Sequence, residues 1–208
     1  MNPQKEFFGV AYKKRRNDIK GLVIISFIFV LFVALFLGAN KIVAGSEENK
    51  KDPKDVYLGL RNQALGMTLE KLTGVNAIGT HGVYGVLMET GYPEAVVTLA
   101  TFLPGDASLY FSNGGGMIGG GGYDSVRKAV VNFIEKADTF ISHGKKPPSF
   151  PMPMSGQTIF YILTKEGIYT AQAMEESLGN GKEVLSPLFF NGQEVITQFR
   201  VAADTKKN

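Results

Sequence analysis

The chain has 208 residues, 44% of them hydrophobic and 20% charged, with a formal net charge of +3. It holds no Cys, no Trp and two His, which removes a disulfide framework, a cysteine-based metal site and a multi-histidine metal centre from consideration. A pI near 8.9 raises nucleic acid as a partner, a reading that depends on where the positive charge lies.

Lys13, Lys14, Arg15, Arg16 and Lys20 precede the run GLVIISFIFVLFVALFLGA at 21–39, whose only polar side chain is Ser26. As a helix this run rises about 28 Å, close to the hydrocarbon thickness of a bilayer. It is apolar all round, unlike a helix lying on a soluble core. Lys and Arg are retained on the cytoplasmic side, so these five cations set the orientation of a single-pass signal anchor. The expected layout is a cytoplasmic basic tail at 1–20, the transmembrane anchor at 21–39, a spacer at 40–54, an exported domain at 55–202 and a polar tail at 203–208. The expected location is the plasma (inner) membrane, with the domain periplasmic or extracellular. Val43-Ala44-Gly45 offers a cleavage site for the competing reading, a removed signal peptide, but the apolar run is longer than a signal core.

The charge divides accordingly. Residues 1–45 carry seven Lys/Arg against two Asp/Glu, a net +5, and residues 46–208 carry fifteen against seventeen, a net −2. The basic pI therefore belongs to the lead of the anchor. The exported part gives no electrostatic reason to expect nucleic acid. The partners implied are the lipid bilayer and other subunits of a membrane complex.

Beyond the spacer, Asp52-Pro53 is a cap followed by proline at a first helical turn, predicting a helix over 54–73 ended by Gly74. Val83 to Glu89, Ala95 to Leu103 and Ala107 to Ser112 read as strands. Pro104-Gly105-Asp106 turns the second into the third. A second helix starts at Asp124 or Ser125 and runs to about Ile141, burying Val126, Val130, Phe133, Ile134 and Ala137. Four prolines in SHGKKPPSFPMPMSG, 142–156, predict an extended surface crossing. Gln157 to Thr164 and Ile168 to Ala173 flank a hairpin turn. Ser186-Pro187 opens a third helix over 187–200, although Asn191-Gly192 inside it also allows a hairpin. The expected fold class is α/β of the α+β type, with a mostly antiparallel five-stranded sheet and about three helices. In element order, residues 57–200 are similar to small roadblock, longin and profilin-type domains. That resemblance implies the same layered architecture and assigns no functional residue.

Two stretches carry candidate sites. The first is the tract NGGGMIGGGG at 113–122. Gly114, Gly116 and Gly119 match the spacing of a dinucleotide fingerprint, and Ser125 and Arg127 stand at the following helix start, where an anion is favoured. No parallel crossover unit or Walker lysine accompanies them, so a tightly turned loop or a contact surface is the competing reading. The second is the proline strap. Its Phe150, Met152 and Met154 are placed to touch an apolar surface, either the domain's own core or a partner. Pro148 to Pro151 is also a formal PxxP. His81 reads as a lone polar loop residue, and His143 as a cation at a helix end. Without a catalytic set or an implied cofactor, the expected function is a non-enzymatic assembly or accessory subunit. The alternative is a phosphate- or nucleotide-binding domain on the glycine tract.

Overall fold

The computed structural model describes residues 52–72 and 74–205. The apolar run 21–39 and the five cations expected to orient it lie outside the described residues. Among the described residues no helix is long and apolar enough to cross a membrane.

Asp52 caps the first helix, α1 (Pro53–Leu65), by accepting the Lys54 amide at 2.9 Å. The helix ends eight residues earlier than the sequence predicts. Gly66 weakens its continuation, and Tyr84 donates its hydroxyl to the Met67 carbonyl at 3.0 Å. A continuing helix needs that carbonyl for the amide of Lys71, which bonds Thr68 instead in a 3-10 turn over Leu69–Lys71.

Six strands follow: β1 (Val83–Gly91), β2 (Val96–Phe102), β3 (Asp106–Phe111), β4 (Gly116–Ile118), β5 (Gln157–Thr164) and β6 (Gly167–Met174). They form one sheet in the order β4-β3-β2-β1-β5-β6, with every neighbouring pair antiparallel. The expected five strands become six because β4 lies inside the glycine tract, where composition argues against a strand. The helices after β4 are α2 (Asp124–Asp138), α3 (Glu175–Gly179) and α4 (Ser186–Thr205). With α1 these make four in the described residues, against about three expected. The short α3 has no periodic run to announce it.

All nine residues of β1 are buried, so both faces of the sheet are covered at its centre. Val86 and Met88 point to one face, in register with Phe160 and Ile162 of β5. There α2 buries the five predicted positions plus Ala129. Helix α4 packs on α2 through Gly192, where a Cβ would lie 2.6 Å from Met88 Sδ and 3.2 Å from Phe133 Cζ. Gly192 thus serves close approach within a continuous helix, and the hairpin alternative for this segment is excluded. The opposite face presents Leu87, Glu89, Thr98 and Tyr161. It is covered by α1 and by the strap at 145–156.

Candidate functional site

The covering of that second face rests on charge. Tyr57 and Arg61, one turn apart on α1, both reach down to the sheet. Arg61 donates through Nε to Glu89 Oε1 at 2.7 Å and through Nη2 to Glu89 Oε2 at 2.8 Å, a bidentate pair. Glu89 is wholly buried and Arg61 is 4% exposed. Thr98, opposite Glu89 on β2, donates its hydroxyl to Glu89 Oε1 at 3.2 Å. Its only proton is committed there, so Tyr57 donates to Thr98 in the 2.9 Å contact between them. Burial pushes the Glu89 carboxyl above the ordinary glutamate range, against the pull of Arg61. Burial works against the Arg61 charge, but the hydrogen bond and charge of Glu89, with smaller contributions from Tyr161 and Tyr57, outweigh it and hold the guanidinium above its usual value.

The same guanidinium reaches beyond α1 and β1. Its Nη2 also donates to the carbonyls of Phe150 at 3.0 Å and Pro151 at 3.2 Å. Tyr161 donates its hydroxyl to Pro151 as well. The Phe150 ring meets the Tyr161 ring edge-on at 5.7 Å between centroids. Both ends of the strap are fixed too. Lys145 exchanges two backbone bonds with Thr170 of β6, at 3.0 and 2.8 Å, and the Gly156 amide bonds Gly91 O at 2.8 Å. Gly91 has to be glycine for this crossing, because a Cβ there would collide with the Met154 carbonyl oxygen.

The strap's backbone is therefore turned inward and tied down, with Pro153 buried. Its large side chains are exposed to different degrees. Phe150 is 39% exposed, Met152 41% and Met154 71%. Met174, at the end of β6, is 52% exposed and sits beside Gly156. Phe150 thus touches the domain's own sheet through Tyr161, while Met154 is mostly exposed.

The network also fixes an alkaline response. Burial and the Glu89 charge push the Tyr57 phenol up to about 12, and the Tyr161 phenol likewise to about 12, from an ordinary value of 10.0. Each phenol keeps its proton more firmly folded than unfolded. The stability this gives is complete below about pH 10 and is lost as pH rises through about 12. Each contributes on the order of 2–3 kcal/mol. Tyr57→Phe is expected to flatten the loss of melting temperature between these pH values. Parallel slopes for the two proteins would contradict it.

The glycine tract is distributed over several elements. Gly114 lies in the β3–β4 turn beside Pro53 of α1, Gly116 is in β4, and Gly119 follows it. The three are not gathered into one turn. Gly116 has φ +151°, and a Cβ there would collide with the Leu109 carbonyl oxygen across the β3–β4 pair. Ser125 stands in the first turn of α2. Arg127 donates to Gly121 O at 2.8 Å and pairs with Asp124, so its guanidinium is already engaged with the loop. Beside the tract, a groove of about 380 Å³ opens between α1 and β2–β4, lined by Leu60, Met67, Phe102, Tyr110 and Ile118.

His81 has a partner that sequence reasoning missed. The amides of Thr80 and His81 donate to the Asp138 carboxylate at 3.0 and 2.9 Å, and the His81 ring Nδ1 lies 3.4 Å from Asp138 Oδ1. This ties the 78–82 turn to the end of α2. His143 ends a 3-10 turn after α2, its ring 5.9 Å from that of Phe140. Among the described residues no group of three His, Cys, Asp or Glu is placed to hold a metal ion.

Comparison with protein-family models, with curated proteins and with solved structures finds no match. The likeness to roadblock, longin and profilin-type domains is one of element order alone.

Proposed function

We propose that the chain is a single-pass membrane protein whose α+β domain lies outside the cytoplasm and serves as a non-enzymatic accessory subunit, holding protein partners on the strap face. One observation carries the reading. A fully buried ion pair, itself costly to desolvate, is placed where it fixes the backbone of a segment that exposes Met152 and Met154. Ordered, outward-facing apolar groups are what a preorganised interface requires. The apolar run at 21–39 and its basic lead support the anchoring half of the proposal.

Both halves have a direct test. The chain has no cysteine, so Ser149→Cys and Asn2→Cys each report one site. A membrane-impermeant maleimide is expected to label position 149 in intact cells and to spare position 2. The reverse pattern, or equal labelling, defeats the topology. Mild detergent extraction is expected to yield the protein with stoichiometric membrane partners. Recovery as a lone monomer defeats the accessory role.

A further inference from the structure

The methionine end of the strap has a charge pattern of its own. No charged residue occurs between Pro147 and Thr164. Met174 is followed directly by Glu175 and Glu176 at the start of α3. The Glu175 amide bonds Gly156 O at 2.8 Å, which places the start of α3 beside the exit of the strap. Glu94 is exposed in the turn from β1 to β2. That turn begins immediately after Gly91, the residue that receives the Gly156 amide, and its Tyr92 lies within electrostatic reach of Glu175. The cations of the strap are at its other end. Lys146 donates to the Glu166 carbonyl and sits 5.2 Å from the centre of the Tyr169 ring, at the β5–β6 turn. Lys182 lies past the far end of α3.

We propose that Met152, Met154 and Met174 form a docking ridge for a basic amphipathic segment of a partner protein, whose apolar face lies on the methionines and whose Lys or Arg side chains meet Glu94, Glu175 and Glu176. Methionine is unbranched and polarisable, and adapts to apolar partners without a fixed shape. The carboxylate rim selects the sign of the partner by steering cations in and disfavouring anions. An anionic lipid surface meets like charge at this rim. A second copy of the chain would bring an identical acidic rim against it. A cationic segment satisfies both the ridge and the rim.

The inference rests on the reading of this domain as a protein-contact module, and its test separates the two. A photo-reactive benzophenone residue is placed at position 154 or 174 in the full chain, in native membranes, with position 118 on β4, at the opposite edge of the sheet, as a control. All three side chains are exposed, so folding is not at stake. The expected result is a crosslink from 154 and 174 to one partner peptide, rich in Lys or Arg with apolar residues at helical or alternating spacing. Its yield is expected to fall about tenfold in Glu175→Gln/Glu176→Gln. Crosslinks to lipid only, to the chain's own peptides, or to an acidic or neutral segment would overturn the proposal. So would an unchanged yield in the double variant. Protein crosslinks from position 118 but not from 154 or 174 would overturn this inference and the strap as the contact, and leave an accessory role through another surface standing. No protein crosslink at any position would remove both.

Discussion

Arg61→Met is expected to destabilise the domain by about 3–5 kcal/mol, the usual cost of stranding a buried charge. The Glu89 carboxylate would keep only the Thr98 hydroxyl as a donor. The strap would lose two of its inward hydrogen bonds at the same stroke. The size of the loss depends on pH, and its sign follows from the direction of the Glu89 shift. Glu89 holds its proton more firmly in the folded chain than in the unfolded one, because burial opposes its charge. Removing Arg61 takes away the main pull in the other direction. In the variant, stability is therefore greatest below the ordinary glutamate range and falls as pH rises through the raised value. The deficit against the parent protein should widen from pH 4 to pH 7. Arg61→Met/Glu89→Leu is expected to recover most of it, since an apolar pair of similar volume needs no desolvation. Thermal melts of the full chain followed by circular dichroism provide the measurement. A loss below about 1 kcal/mol, the range of solvated surface pairs, would show that the pair does not hold α1 to the sheet.

The strap responds to this pair because Arg61 is shared. One guanidinium serves a carboxylate on β1 and two carbonyls on a segment about 90 residues further along the chain. Such sharing explains which parts of the site were legible in the sequence. Phe150, Met152 and Met154 stood out because four prolines barred regular structure around them. What lay beneath them did not stand out. Glu89 and Arg61 are 28 residues apart, and neither belongs to a motif. The available signal was Glu89 itself, a carboxylate in the run VYGVLME that otherwise reads as doubly buried. A charge at such a position demands a partner.

The elements were legible for the same local reasons. Strand β5 runs over Gln157–Thr164 as expected, since a β-rich run there is bounded by glycine on one side and a Lys-Glu-Gly turn on the other. The buried stripe of α2 followed from its period. Where the outcome differed, a tertiary contact decided. Tyr84 took the carbonyl that α1 needed to continue. Strand β4 forms where the backbones of Gly116 and Leu109 approach too closely for a side chain. Gly192 reads as a turn signal in isolation and is a packing device in place.

Gly91→Val is expected to peel the C-terminal half of the strap from the sheet while leaving its N-terminal half in place. Gly91 ends β1 in ordinary extended backbone, so a β-branched residue costs nothing there in conformation. The cost is steric. A Cβ would collide with the Met154 carbonyl oxygen and lie 3.0 Å from the Pro153 carbonyl oxygen. Both are backbone atoms, so relief requires the segment at 153–156 to move outward. Movement breaks the Gly156–Gly91 hydrogen bond and displaces Met154 from its seat on Gly91. Residues Phe150 and Pro151 stay, because Arg61 and Tyr161 hold their carbonyls independently of Gly91. Overpacking of this kind costs about 1–3 kcal/mol. Hydrogen exchange should show the Gly156 amide losing protection while the Arg61-bound stretch of the strap and the β1–β5 pairing retain theirs. Retained protection at Gly156 with an unchanged melting temperature would refute this account of Gly91. The same variant divides the interface physically. If Met154 and Met174 act together as one ridge, partner crosslinking from position 174 should fall with Gly91→Val although neither methionine has been altered.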